Sequence, residues 1–275
     1  MKKIALIIFY FIKLVHNFFL KLFKKNLLIY FKEHFEKNLI TNLNIKDKNI
    51  SLFTPNHSSF WRANQFLTRE PDTIEWIESF NENTNFWDIG ACVGQFSIFS
   101  CKFKNTDVLC FEPSTSNLRI LSRNIFLNNL QNKIKILPIA LNDHDDFSLF
   151  NEHKFVEAGA LNTVVRDDEN KDCENQYNIF SITINTLVTK HLIKKPNYIK
   201  IDVDGKEYDI LKNANEILKS NELESLLIEI DTKSKDYNNL FSLMNKFGFK
   251  EDKSYEKKMN KNYREIRNFI FRRYK

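Results

Sequence analysis

Glycine and proline are scarce in this chain, five of each in 275 residues, beside 26 phenylalanines. A sequence this poor in glycine keeps it where the backbone needs it, so Gly90 and Gly94, four residues apart, mark a turn of special geometry. Cysteine is rarer still. Cys92, Cys101, Cys110 and Cys173 form no CxxC pair and have no histidine at ligand spacing, so neither a zinc site nor a disulfide framework is indicated. The reduced cytoplasm is the expected compartment. Long uncharged apolar runs are missing too. Ile4–Ile12 stops at Lys13 and no small-residue cleavage site follows, which argues against both a bilayer span and a secretory signal. The abundance of Asn, Lys, Ile and Phe reads as an AT-rich genome bias and carries no functional meaning.

What is present centres on FWDIGACVGQF, residues 86–96. A buried strand, Asn85–Ile89, stops at an acidic residue, turns through Gly90-Ala91-Cys92-Val93-Gly94 and opens a helix at Gln95. Strand, glycine turn and helix are how open α/β sheets hold an adenosine cofactor. The dinucleotide pattern G-x-G-x-x-G is not met, because Cys92 holds the middle position and no third glycine follows. Val108–Phe111 is an apolar strand ended by Glu112 and Pro113, and Glu112 lies at the spacing of a ribose-binding carboxylate. A cofactor with a ribose and no pyrophosphate fits this relaxed turn, which points to S-adenosylmethionine. Ile134–Leu141 is the expected third strand, with Ala140, Leu141 and Asn142 placed to flank the adenine. Three βα units in succession mean a parallel sheet.

Three regions are expected. Residues 1–42 form a basic, apolar helical extension, 43–83 a connector, and 84–275 the main domain with an inserted hairpin at about 146–180. The first 40 residues carry eight lysines against Glu33 and Glu36, a net +6 that equals the formal excess of the whole chain. That pattern suits an amphipathic helix lying on anionic lipid at the inner face of the cytoplasmic membrane; packing on the protein's own core or a partner is the bland alternative. In the connector, Arg62, Thr68, Arg69 and Glu70 are either a solvated surface or a cluster closing over the methionine end of the cofactor. The hairpin carries Asn162 and leads into a charged loop, Arg166–Glu174. The sheet is expected to resume with a strand at Ile182–Leu187.

Ile199-Lys200-Ile201-Asp202-Val203-Asp204 is the second informative stretch. Alternation sets Lys200, Asp202 and Asp204 on one face of a strand, and three charges there are costly unless paired or turned to a cleft. The bland account is a Lys200–Asp202 pair that fixes the strand end. The functional one makes Asp202 a base or acceptor orienter tuned by Lys200, with Asp204, Glu207 and Asn162 binding the acceptor.

With these residues in view, the chain from about Phe60 onward resembles the FkbM family of methyltransferases. The matching pieces are Asp88–Gly94, Phe111-Glu112-Pro113 with Asn124 and Asn128 in the following helix, Ala140–Asp143, and Ile199–Glu207. The family often has Asn where this chain has Cys92, and Glu where it has Asp204. The resemblance implies a doubly wound, Rossmann-like sheet of seven mostly parallel strands (class I methyltransferase), S-adenosylmethionine as cofactor, and O-methylation of a hydroxyl, often on a sugar of a glycolipid or surface polysaccharide. It implies that Asp88, Gly90, Ala91 and Gly94 hold the methionine moiety beside Glu70, and that Glu112 and Pro113 hold the ribose. Two competing readings are a metal-dependent glycosyltransferase using Asp202/Asp204 as a D-x-D and an inactive membrane-docked binding module. No resident metal is expected, nucleic-acid binding is not indicated, and the oligomeric state is not encoded legibly.

Overall fold

The computed structural model describes residues 2–165, 173–191, 193–258 and 265–273, with the side chains of 256–258 set aside; most of the charged loop expected at 166–174 lies outside the described residues. The chain divides into two compact units, Met1–Ile40 and Thr41–Lys275. The first holds α1 (Lys2–Phe23) and α2 (Leu27–Asn38), the latter started by Asn26, whose side chain accepts the Leu28 N–H.

The second unit opens with a hairpin, β1 (Ile40–Ile45) and β2 (Lys48–Phe53), and three short helices, α3 (His57–Asn64), α4 (Phe66–Arg69) and α5 (Pro71–Glu78). Asn56 and Ser59 form a reciprocal capping box on α3, and Pro71 starts α5 where its missing N–H costs nothing. Then come β3 (Asn85–Ile89), α6 (Gln95–Lys104), β4 (Asp107–Phe111), α7 (Thr115–Leu127) and β5 (Ile134–Leu137). A second sheet follows from β6 (Ala140–Leu141), β7 (Asp146–Glu152), β8 (Thr163–Val165) and β9 (Asn175–Ile182), after which come α8 (Ile184–Thr189) and β10 (Tyr198–Ile201). The chain closes with α9 (Glu207–Lys212), α10 (Asn215–Leu218), β11 (Ser225–Asp231), α11 (Tyr237–Lys246), β12 (Phe249–Glu251) and β13 (Ile266–Arg273).

The main sheet has seven strands in the order β12-β13-β11-β10-β3-β4-β5, with β13 alone running against the others. Both faces are covered, which explains why the central strands are apolar on both faces apart from the site residues Asp88 and Lys200 and the strand-opening Asn85. Trp87, Phe111, Ile199 and Ile228 point into one core layer with α9 and α10. Phe86, Val108, Tyr198 and Leu227 point into the other with α5 and α6. The chain winds from β3 outward through β4 and β5, then returns to lay β10 on the opposite side of β3. The crevice at this switch point, beyond the carboxyl ends of β3 and β10, is where such sheets bind ligands.

Three local expectations are corrected. Pro138 cannot continue the ladder, so the expected strand Ile134–Leu141 breaks into β5 in the main sheet and β6 in the second. The expected strand Ile182–Leu187 ends at Ile182, because the Thr183 side chain accepts the Thr186 N–H and begins α8. The expected hairpin partners β7 and β8 do pair, Leu149 opposite Val165, but β9 lies on the other side of β7 and joins them to β6. The motif residues Asn124 and Asn128 turn out to be braces. Their side chains take the N–H groups of Phe53 and Ser51 at 2.7 and 3.1 Å, pinning β2 along α7, and Asn124 also donates to the Val93 carbonyl in the glycine turn at 2.8 Å.

Candidate active site

The glycine turn is shaped by the strand tips on either side. The Gly90 and Ala91 amides donate to the Phe111 carbonyl at 2.9 and 3.1 Å, and the Asp202 amide donates to that of Ile89 at 3.1 Å. A Cβ on Gly90 would sit 1.9 Å from the Asp202 carbonyl oxygen, and its φ of +79° is left-handed. Only glycine lets β10 end this close to the turn. Gly94 answers a different need. Its Cβ would strike Leu121 at 2.4 Å, so it seats α6 against α7 and does not line the cavities described next.

A cavity of about 820 Å³ opens beyond the strand tips, walled by Gly90, Glu112, Pro113, Ala140 and Leu141 on one side and by Asn162, Asp202, Asp204 and Glu229 on the other. A smaller one of about 470 Å³ shares Arg62, Arg69, Gly90, Cys92 and Asp202 with it and adds Glu70, Asp88, Ala91, Gln95 and Lys200. A third chamber, meeting the first at Asp204 and Glu229, contains Glu207. The predicted residues therefore converge, with two exceptions. Gly94 has the packing role just given, and Asn142 lies buried outside the lining, its Oδ1 taking the Asp143 N–H at 2.9 Å. Glu207 is committed as well, since its Oε1 accepts the Gly205 N–H at 3.0 Å and so caps the loop.

The Glu112 carboxylate accepts two backbone amides, Cys92 at 2.7 Å on Oε2 and Ser114 at 2.8 Å on Oε1. Burial nevertheless pushes its pKa up to about 7 against the downward pull of those bonds. Asp88 is buried with Oδ2 on the Ser97 hydroxyl, and burial raises its pKa. Cys92, in left-handed backbone at φ 50°, is a thiol rather than a thiolate, since burial drives it up to about 11.

Strand β10 ends at Ile201, so alternation does not carry Lys200, Asp202 and Asp204 onto one strand face as expected. Lys200 is buried in the strand and sends its ammonium to Asp202 Oδ2 at 2.7 Å, 5.2 Å from the Phe96 ring centroid. Asp204 has φ 56° and accepts the Leu161 N–H at 2.8 Å. Burial disfavours the Lys200 charge, but Asp202, Glu70 and Asp88 outweigh it and hold the pKa up. For Asp202, burial raises the pKa and the Lys200 ammonium more than reverses it; Glu229 adds a hydrogen bond. Glu229 is the residue the sequence reading passed over. Beside Asp202 at the end of β11, it is pushed far up by that carboxylate's charge and then by burial, so it carries the proton of the pair. Its signal in the sequence was faint, a single acid between Ile228 and Ile230 in the apolar run Leu226–Ile230.

An α/β sheet with a glycine turn at its switch point, a carboxylate on the second strand tip and an acid-lined crevice is the architecture of a nucleoside-cofactor methyltransferase. The chain belongs to the FkbM methyltransferase family: the model of the methyltransferase FkbM domain matches residues 88–251. A hexuronic acid methyltransferase, AglP, of Haloferax volcanii is similar, 26% identical over 183 residues that cover 66% of this chain and 71% of the relative. Among solved structures the fold is similar to M. jannaschii TYW2 in complex with AdoMet, with a TM-score of 0.44 at 16% identity over 86% of this chain and 87% of that one. It is also similar to a SAM-dependent methyltransferase from Agrobacterium tumefaciens, with a TM-score of 0.44 at 11% identity over 85% and 69%.

The protein is an S-adenosylmethionine-dependent methyltransferase, and its unpaired buried atoms fit that cofactor. Asp88 Oδ1, an acceptor, and Gln95 Nε2, a donor, are both unpartnered in the smaller cavity, as an α-amino acid zwitterion requires. Asn117 Oδ1 is likewise unpartnered in the larger cavity, where Phe111, Ile139, Leu141 and Phe150 provide an apolar slot for a base. Glu112 lines the larger cavity with Gly90 and Cys92, where a ribose would meet it. The Asp202 and Asp204 of the D-x-D are engaged by an ammonium and a backbone amide, and among the described residues no group of three or more His, Cys, Asp or Glu is arranged to hold a metal.

Proposed function

We propose that this methyltransferase modifies a hydroxyl on a sugar of a glycolipid or surface polysaccharide, working in the cytoplasm at the inner face of the membrane. The observation that carries the reading is the placement of Asp202. It stands where the two cavities meet, clamped through one oxygen by Lys200 and flanked by Glu229. The bound cofactor supplies an electrophilic methyl group on a sulfonium. Asp202 would accept a hydrogen bond from the acceptor hydroxyl, hold its oxygen in line and take its proton as the oxygen gains the methyl and the methyl–sulfur bond breaks, which would leave the sulfonium a neutral thioether. A carboxylate of low basicity suffices, because a hydroxyl oxygen becomes strongly acidic once it is alkylated. Positioning contributes up to about 7–11 kcal/mol and proton removal about 10²–10⁴ in rate, so geometry carries the larger share. Asp204 and Asn162, on the same wall, bind the acceptor's other hydroxyls.

The sugar assignment is supported by the relative from Haloferax volcanii, whose name specifies a hexuronic acid. The membrane assignment rests on the N-terminal unit taken by itself. Helix α1 is 22 residues long and by length and composition could cross a bilayer. Its exposed apolar residues lie all round the helix, with Leu6, Phe9, Leu20 and Phe23 opposite Ile4, Phe11 and Phe18, while Lys13 interrupts its middle and Lys2, Lys3 and Lys21 mark its ends. Lys13 in the middle would cost about 2.5–3.5 kcal/mol at a bilayer centre. An interfacial position keeps Lys13 and the terminal lysines at the anionic headgroups while apolar side chains enter the lipid. Mass spectrometry of surface glycans from cells with and without the gene tests the function: a methyl group on one sugar residue is expected to disappear, and glycans of identical mass would refute the reading.

A further inference from the structure

A fourth depression, of about 930 Å³, runs from the surface to the reaction cavity and is lined by His57, Trp61, Arg62, His153, Lys154 and the segment Ala158–Leu161. Its chemistry is opposite to that of the third chamber, whose lining includes Asp204, Glu207, Glu229, Asp231 and Asp236. Among the described residues the groove is lined by two cationic side chains, two imidazoles and no carboxylate. Trp61 is 42% exposed, a large apolar face left in solvent beside these groups. Its ring also lies 5.6 Å from the Arg69 guanidinium carbon, which holds the indole in place.

The groove is joined to the chemistry. Arg62 lines it as well as both cofactor-side cavities, and Gly159 and Ala160 line both the groove and the larger cavity. Arg62 Nε is tied to the Ala158 carbonyl at 3.0 Å, which fixes the guanidinium between Asp202 and the groove. The dividing segment is held in unusual backbone, with Ala158 at φ 61° and Leu161 at φ 63°, and Leu161 is anchored on Asp204. An aromatic plate with basic neighbours suits one ligand type: a pyranose packs its C–H face on an indole, and an anionic substituent meets cationic donors.

We infer that this groove binds a glycan bearing a carboxylate or phosphate next to the sugar that is methylated, with Trp61 as platform and Lys154, His57, His153 and Arg62 as the anion-facing rim. The inference rests on the sugar-methylation reading and adds the charge of the acceptor to it. The test is calorimetry on the full chain saturated with S-adenosylhomocysteine, using trigalacturonate, neutral galactotriose and galactose 1-phosphate as probes. Trigalacturonate, galactose 1-phosphate or both are expected to bind at least about tenfold more tightly than galactotriose, and which of them does identifies the anion as carboxylate or phosphate. Lys154→Glu is expected to weaken the anionic probe about fivefold at low salt, less as salt rises, and Trp61→Ala to weaken both saccharides, with S-adenosylhomocysteine binding unchanged. Equal affinity for charged and neutral trisaccharides, or an anion preference that survives Lys154→Glu, would overturn the inference and leave sugar methylation standing. Failure of every saccharide probe to bind would overturn both.

Discussion

The cofactor side and the acceptor side of the same crevice are built in different ways. On the cofactor side, Asp88, Gly90, Gln95 and Glu112 come from one β-turn-α-β stretch, and their geometry is set by short-range hydrogen bonds such as Cys92 N–H to Glu112 at 2.7 Å. On the acceptor side, Arg62, Asn162, Asp202 and Glu229 come from four distant segments that only the tertiary fold brings together, Asp202 and Glu229 because β10 lies between β3 and β11. A fold can thus hold its cofactor by local rules and leave acceptor choice to residues that vary independently.

The sharpest way to separate the two sides is Asp202→Asn. We expect methyl transfer to fall by about 10²–10⁴ with S-adenosylhomocysteine affinity little changed, measured by product formation and calorimetry. Undiminished transfer would remove Asp202 from the chemistry. Gly90→Ala should erase the distinction, because the added Cβ meets the Asp202 carbonyl at 1.9 Å in left-handed backbone. A loss of stability above about 3 kcal/mol is expected in denaturant titration; a near-neutral result would mean β10 is free to move. Glu112→Ala acts on the cofactor side alone and should raise the cofactor's dissociation constant about ten- to hundredfold. An unchanged constant would refute the ribose assignment.

Smaller effects sharpen the acceptor side. If Glu229 serves by donating a proton to Asp202, Glu229→Gln keeps a donor and most activity, whereas Glu229→Ala loses about tenfold and changes the pH profile of kcat. Equal losses in both would make Glu229 a packing residue. The smallest signal is in stability against pH. Glu112 and Glu207 have native pKa values of about 7, above their ordinary 4.5. Between about pH 4.5 and 7 the native state holds protons on these two groups that the unfolded chain has released, so their contribution to stability falls as pH rises through that window. The thermal midpoint of the cofactor-free protein should drop from pH 5 to 7.5, and Glu112→Gln should shrink the drop; an unaltered slope would show that Glu112 is not its source.

Much of this was legible in advance where chemistry is local. The scarcity of glycine singled out Gly90, the apolar strand ending in an acid singled out Glu112, and the charged run singled out Lys200 and Asp202. Pro138 and Thr183 were legible too, as a strand breaker and a helix cap, but the apolar residues around them suggested continuous strands. Glu229 was missed because a lone acid inside an apolar strand, between Ile228 and Ile230, has no meaning until its neighbour across the sheet is known.

The sequence by itself determined the order of strands and helices, the cofactor turn and the basic apolar N-terminus, because each depends on residues a few positions apart. Tertiary structure alone decided that Gly94 seats α6 against α7, that Glu229 lies beside Asp202, and that Trp61 and Lys154 line one groove. Those outcomes depend on distances between segments up to about 170 residues apart along the chain, and spacing in sequence carries no such distances until the sheet's order and register bring the segments together.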